Sequence, residues 1–339
     1  MKKEIDKNQS PLLEINNLST YFDTHSGLVK AVDGVGIKLY PGECLGVVGE
    51  SGSGKSVTFL SVMGLIKKPG RIASGSIKFD GRELTDLSPR QYRKIRGKEI
   101  AMTLQDALTA LNPSIKIIDQ ISEVLREHDK EVKAQGKKAI KNRAVEMMKL
   151  VGIPDAKNRL KDYPHQFSGG MRQRIMIAIA LACKPKLLIA DEPTTALDVT
   201  IQAQVLNLIA DIRKELNMSV IIITHNLGVV SEYTDKTVVM YAGQIVEKGL
   251  TRDVILNPQH PYSQGLLKSI PRLSELDTAI YPIPGQVPDL VNLPAMCRFY
   301  SRCSKRSEEC KKGDIQIKKL SAHSEVRCLK VTNELKTSQ

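Results

Sequence analysis

A chain of 339 residues has room for one large domain with an appendage, or for two modest domains. Its hydrophobic share of 41% and charged share of 26% exclude a disordered chain and predict a packed core. The net charge of +13 would suit a polyanion, but the basic residues are dispersed, and five Phe with no Trp supply no base-stacking motif, so nucleic acid is set aside as a partner.

The opening segment, MKKEIDKNQSPLLE, mixes Lys with Glu and Asp and lacks the apolar stretch of a secretory signal, which predicts a chain that stays in the cytoplasm. The longest apolar stretches, such as Ile175 to Cys183 and Val220 to Ile223, fall short of the roughly 20 residues that span a bilayer. Any membrane role must therefore run through a partner. Leu12 to Leu18 and Val29 to Leu39 read as strands, followed by the turn Pro41-Gly42-Glu43 and an apolar strand from Cys44 to Val48.

That strand runs into Gly49-Glu50-Ser51-Gly52-Ser53-Gly54-Lys55-Ser56, a P-loop pattern, and a helical pattern then continues through Met63. Glycines in such a loop let backbone N–H groups turn toward phosphate oxygens, while the following helix offers its positive end. Lys55 is expected at the β- and γ-phosphates and Ser56 on Mg²⁺, with Gly49, Ser51, Gly52, Ser53, Gly54 and Val57 completing the cradle. From about Ile117 to Lys161 the chain turns helical and highly charged, with Ala144, Met147, Met148 and Val151 on one apolar stripe. The methionines there read as core filler.

Leu187 to Ala190, Val220 to Ile223 and Lys236 to Tyr241 are short apolar or β-branched runs suited to buried parallel strands. The first ends in Asp191, placed as a Walker B aspartate acting on Mg²⁺, and Glu192 follows as a carboxylate able to polarise the attacking water. After Asn257 seven prolines between Pro258 and Pro294 break any long helix, and the last 80 or so residues read as a loop-rich region.

Phe167-Ser168-Gly169-Gly170-Met171-Arg172-Gln173, taken with the P-loop and with Ala190-Asp191-Glu192-Pro193-Thr194, resembles the ABC-transporter ATPases. The resemblance implies an α/β P-loop core with an antiparallel β-subdomain, a helical subdomain and a C-terminal extension. It makes Ser168, Gly169 and Gly170 a second phosphate-binding helix start, serving the nucleotide held by the opposite subunit. Gln105, after a strand from Glu99 to Leu104, matches the Q-loop glutamine that senses Mg²⁺ and the γ-phosphate; Ala196-Leu197-Asp198 matches the D-loop; His225 matches the switch histidine. Phe22 is the expected adenine-stacking aromatic, with Tyr21 the alternative. Catalysis is thus expected from Glu192, His225 and Gln105, with ATP and Mg²⁺ as cofactors.

Tyr163-Pro164-His165-Gln166-Phe167, His260-Pro261-Tyr262-Ser263, Leu266-Leu267-Lys268-Ser269-Ile270-Pro271 and Pro284-Gly285-Gln286-Val287-Pro288 narrow the resemblance to the dipeptide/oligopeptide importer ATPases. Nickel importers share that subfamily, and a soluble ABC ATPase without transport role is the further alternative. The resemblance implies a paralogous ATPase partner in a heterodimer, two transmembrane permease subunits, an extracytoplasmic substrate-binding protein and a place on the cytoplasmic face of the membrane. Residues 1–258 are expected to form the nucleotide-binding domain, with a helical subdomain over about 106–175, and 259–339 the extension. Ala107 and Ser304 depart from the family, which usually has proline at both positions.

Cys297, Cys303, Cys310 and Cys328 crowd the extension, with five, six and seventeen residues between successive members. Four thiolates suit a 4Fe-4S cluster, an expectation the resemblance strengthens; zinc or four unligated thiols are the alternatives, although zinc commonly takes pairs two to four residues apart.

Overall fold

The computed structural model describes residues 10–104, 110–194, 198–269 and 283–331. The chain divides into two compact units, Met1–Tyr40 with Cys44–Thr85 and Thr224–Gln339, and Pro41–Glu43 with Asp86–Ile223. In the first unit, β1 (Leu13–Thr24) pairs antiparallel with β2 (Gly27–Leu39) and with β4 (Gly70–Phe79), and β5 (Arg82–Glu83) closes this sheet. Asp80 and Gly81, both at positive φ, connect β4 to β5, the two-residue turn whose twist matches a hairpin.

β3 (Cys44–Val48) is buried throughout and runs parallel to β9 (Lys236–Tyr241), as continuous apolar runs predict. β9 turns through Ala242-Gly243, again both at positive φ, into the antiparallel β10 (Gln244–Leu250). The end of the chain belongs to this unit, because β12 (Glu325–Val326) adds to β10 and β11 (Lys318–Lys319) adds to β12. The sequence pattern does not mark β4 or β10. β4 is largely half-exposed and carries no apolar run, and β10 follows β9 after only two residues.

Among the described residues the extension holds one α-helix, Pro261–Lys268, started by Pro261 at its first position and by His260, whose Nδ1 accepts from the Tyr262 N–H at 3.0 Å. Tyr262, Tyr241 and Phe299 form an aromatic cluster with ring centroids 4.6 to 5.4 Å apart, and it packs against Val48, Val230 and Val239. Cys297 and Cys303 pack on the same cluster.

The second unit is built on parallel strands in the order β8 (Ser219–Thr224), β7 (Leu187–Asp191), β6 (Ile100–Thr103). Its helices include Ile117–His128, Lys137–Leu150, Gly169–Leu181 and Val199–Leu216. Lys137–Leu150 buries Ile140, Ala144, Met147 and Met148, one face at helical spacing, so the methionines fill core as expected.

Candidate nucleotide site

β3 ends at Val48 and the loop Gly49 to Gly54 delivers the helix Lys55–Val62. Gly49 and Gly54 lie at φ 154° and 93°, and a Cβ on them would stand 2.2 Å from the Met240 carbonyl oxygen and 2.3 Å from that of Ala31. No larger residue fits either point. Gly54 starts the helix with no side-chain cap, and the first turn holds no acidic residue, so the positive helix end is left to an external anion. Lys55 is buried, its Nζ donating to the carbonyls of Gly49 at 2.7 Å and Glu50 at 2.9 Å and to Ser53 Oγ at 3.4 Å. The ammonium is thereby held over the loop. Gly52 borders open space, with nothing within 4 Å of a Cβ placed there. A cationic, donor-rich loop of this shape fits a polyphosphate with its Mg²⁺, and Ser56 stands in the first turn of the helix that follows.

The Glu50 N–H donates to Tyr262 Oη at 2.9 Å, and the Glu50 carboxylate receives both ends of the Arg302 guanidinium, at 2.6 and 3.0 Å. Glu50, Arg302 and Tyr262 carry no sequence pattern that marks this contact; Arg302 lies 252 residues from Glu50. On the β1 side, Tyr21 donates its hydroxyl to Asp33 Oδ1 at 2.8 Å, while the Phe22 ring lies against Gly70. Asp33 is ion-paired with Arg298, which also donates to the Ala242 carbonyl. His225 is exposed, just after β8, and Asn226 Oδ1 caps the next helix, Leu227–Tyr233, at the Gly228 N–H.

In the second unit, Asp191 is buried at the end of β7, and Glu192 follows at φ 46°, with its N–H donating to the Ile223 carbonyl at 2.9 Å. A left-handed glutamate costs about 1–3 kcal/mol, the kind of strain that accumulates where a side chain must be aimed. Ser168 starts the helix Gly169–Leu181, its Oγ accepting from the Met171 N–H at 3.4 Å. Arg159 fixes the approach to that start, lying 4.1 Å over the Phe167 ring and donating to the Gln166 carbonyl at 2.9 Å. Ser168 and Gly169 are exposed, and a Cβ on Gly170 would meet Ile201 at 2.7 Å. Asp198 caps Val199–Leu216 by accepting from the Ile201 N–H at 2.9 Å. Gln105, Ala107, Ala196, Leu197, Ile270 and Pro271 lie outside the described residues.

A family model described as ABC transporter matches residues 32–195, and one described as oligopeptide/dipeptide transporter, C-terminal region, matches 246–310. The chain is 52% identical over 302 residues to the oligopeptide transport ATP-binding protein AppD of Bacillus subtilis, covering 89% of this chain and 91% of that one. The chain belongs to the ABC-transporter ATP-binding proteins of the dipeptide/oligopeptide importer family. The dipeptide transport ATP-binding protein DppD of Haemophilus influenzae is 45% identical over 323 residues, with 95% and 96% of the two chains covered. Among solved structures, cbiO1 of Clostridium perfringens superposes with a TM-score of 0.63 at 26% identity, over 79% of this chain and 98% of that one. The ATP-binding cassette MJ0796 bound to ADP and Pi gives the same TM-score at 24% identity, over 71% and 99%. The fold is the ABC ATPase cassette, mixed α/β with an antiparallel sheet and helices, as the sequence motifs predict.

The cysteine expectation needs correction. Among the described residues no group of three or more His, Cys, Asp or Glu is arranged to hold a metal ion, which removes the 4Fe-4S cluster and its zinc alternative at Cys297, Cys303, Cys310 and Cys328. All four are free, and they line one small cavity with Phe299 and Ile315. Burial pushes the Cys297 thiol up to about 11 and raises Cys303 as well, so as free groups both are neutral and pack among apolar side chains. The spacing of cysteines in sequence could not reveal this, because ligand geometry and thiol ionisation are set by how the loops pack.

Proposed function

We propose that this chain works as one of two paired ATPase subunits that drive uptake of di- and oligopeptides from the cytoplasmic face of the membrane. As a member of its family the chain is an ATP-hydrolysing subunit of a peptide importer; its site residues, subunit pairing and orientation are our reading. The glycine loop that turns into the helix at Lys55, with the Lys55 ammonium held over it, carries the reading, because a cation above a helix N-terminus suits a phosphate chain. Mg²⁺, when bound, neutralises charge on the β- and γ-phosphates.

Ser56, Gln105 and Asp191 would hold that ion. Lys55, with Gly49, Ser51, Gly52, Ser53, Gly54 and Val57, cradles the phosphates, and the Tyr21-Phe22 pair receives adenine. Tyr21 is favoured over Phe22 because its hydroxyl is tethered to Asp33, whose N–H donates at 2.8 Å to Gly243, itself hydrogen-bonded to Ser53 of the loop. Glu192 takes a proton from the attacking water and His225 contacts the γ-phosphate. Ser168, Gly169 and Gly170 deliver the second helix start to the nucleotide of a partner subunit, a role the exposure of Ser168 and Gly169 supports.

The partner is a paralogous ATPase, with two permease subunits and an extracytoplasmic binding protein. No helix among the described residues is long and apolar enough to cross a membrane, so attachment runs through the permeases. The relatives named for oligopeptide and dipeptide transport favour peptides over nickel as cargo. Glu192→Gln in the assembled transporter tests the reading, since it keeps size and hydrogen bonding but removes the charge. Turnover should fall about 10²- to 10⁴-fold while ATP still binds; parental turnover would remove Glu192 from this role. Copurification of the tagged chain with its native complex should yield a second, distinct ATPase, and recovery of this chain alone with the permeases would overturn the heterodimer.

A further inference from the structure

We propose that Arg302 is a positioning residue of the nucleotide site, through which the C-terminal extension neutralises a carboxylate in the P-loop. The proposal rests on the reading of that loop as the phosphate cradle. Glu50 is the second residue of the loop and carries a negative charge where a polyphosphate would arrive. Uncompensated, that charge repels the ligand, and the repulsion grows with the number of phosphate charges. Arg302 removes the conflict with a two-pronged pair, Nη1 to Oε2 at 2.6 Å and Nη2 to Oε1 at 3.0 Å.

The guanidinium is anchored from the extension side. Nε donates to the Pro284 carbonyl at 3.0 Å and Nη2 to that of Ile283 at 3.2 Å, and the group lies 5.7 Å from the Tyr241 ring centroid. The side chain is only 5% exposed, against 27% for Glu50, so the pair is less screened than a surface ion pair. The hydrogen bonds it donates to Glu50 hold the guanidinium well above its ordinary range, so it stays charged at any working pH.

The extension also sets the backbone of the same residue, since Tyr262 Oη accepts from the Glu50 N–H. The Glu50 carbonyl in turn accepts from Lys55 Nζ. One loop residue is thus fixed at three points, two of them by the extension, and the third leads directly to the lysine over the phosphates. A second arginine of the extension, Arg298, reaches a different part of the unit through Asp33 and Tyr21, and it touches no acidic group of the loop. Arg298 therefore serves as a control for loss of an extension contact that does not involve Glu50.

Full-length chain is titrated with fluorescent ATP and ADP analogues, with thermal melting followed in parallel. Arg302→Met should weaken ATP about tenfold and ADP by less, because the bare carboxylate meets one fewer phosphate in ADP. Adding Glu50→Gln to Arg302→Met should restore ATP affinity to within about threefold of parental, which loss of packing alone would not allow. Arg298→Met, by contrast, should gain from Glu50→Gln only the factor that Glu50→Gln gives in the parental chain, because the two sites share no partner. Should Arg302→Met fail to fold, Glu50→Gln alone decides: it leaves the Arg302 cation uncompensated and should tighten ATP severalfold relative to ADP. Unchanged ATP affinity in a folded Arg302→Met, or an unchanged ATP-to-ADP preference in Glu50→Gln, overturns the proposal. Lys55→Ala, measured alongside, separates the two readings: if it too leaves nucleotide affinity unchanged, the P-loop assignment itself has failed.

Discussion

The two glycine-bearing helix starts, at Gly54 and at Ser168, solve the same electrostatic problem in opposite ways. At the first, a glycine in the left-handed region precedes the helix, its N-cap offers no side chain, and Ser53, Gly54 and Lys55 are all buried. At the second, Ser168 in extended geometry accepts from Met171, and Ser168 and Gly169 stand exposed. Neither first turn contains an acidic residue, so both keep their positive end available to an anion. The first start is held by its own chain through the Lys55 hydrogen bonds to the loop carbonyls. The second is already capped and faces outward, the arrangement of a surface that completes a site on another molecule.

Lys55→Ala tests the first start and should have the largest effect. It removes charge-assisted hydrogen bonds worth about 1.5–3 kcal/mol each, so ATP affinity of the isolated chain should fall on the order of 100-fold. Titration with a fluorescent nucleotide at fixed ionic strength measures it; retained affinity would remove this loop as the phosphate cradle.

Ser168→Ala tests the outward start and should behave differently. Loss of the cap costs about 1 kcal/mol of helix stability, and ATPase activity of the assembled transporter should drop about tenfold. Binding of ATP to the isolated chain should stay within about twofold of parental. An equal loss of affinity in both variants would end the contrast between the two starts.

A smaller effect, confined to the Gly54 side, comes from His260, which starts the helix carrying Tyr262. Burial holds its imidazole down to about 3, so the folded chain keeps it neutral while an unfolded chain takes up a proton near pH 6.5. The folded-state value is the depressed one, so the stability it contributes is present above pH 6.5 and is lost as pH falls toward 3. Nearby Glu247 is raised by burial and acts in the opposite sense, its contribution being present below its ordinary range and lost as pH rises. Melting temperature should fall on the order of 4 °C between pH 7 and pH 5. His260→Asn, which keeps a capping oxygen but does not titrate, should flatten that slope. A parental profile in His260→Asn would assign the slope to other groups.

The local parts of this molecule were written in the sequence. Cys44 to Val48 reads as a strand because it is apolar without interruption, and the helix after Gly54 reads from the apolar spacing of Phe59, Val62 and Met63. Asp191 was legible as the end of a buried apolar strand, and Ser168 as the residue before two glycines at a helix start. Each of these signals spans fewer than about ten neighbouring residues, the range over which periodicity and capping act. What joins distant segments was not legible. Arg302 on Glu50, Arg298 on Asp33 and Tyr262 on the Glu50 amide link positions more than 200 residues apart, and nothing in the local pattern ranks one arginine of the extension above another. The four cysteines show the same limit from the other side. Their clustering along the chain suggested a metal, but whether thiols converge as ligands and ionise depends on loop packing and burial, and these only the tertiary structure decides.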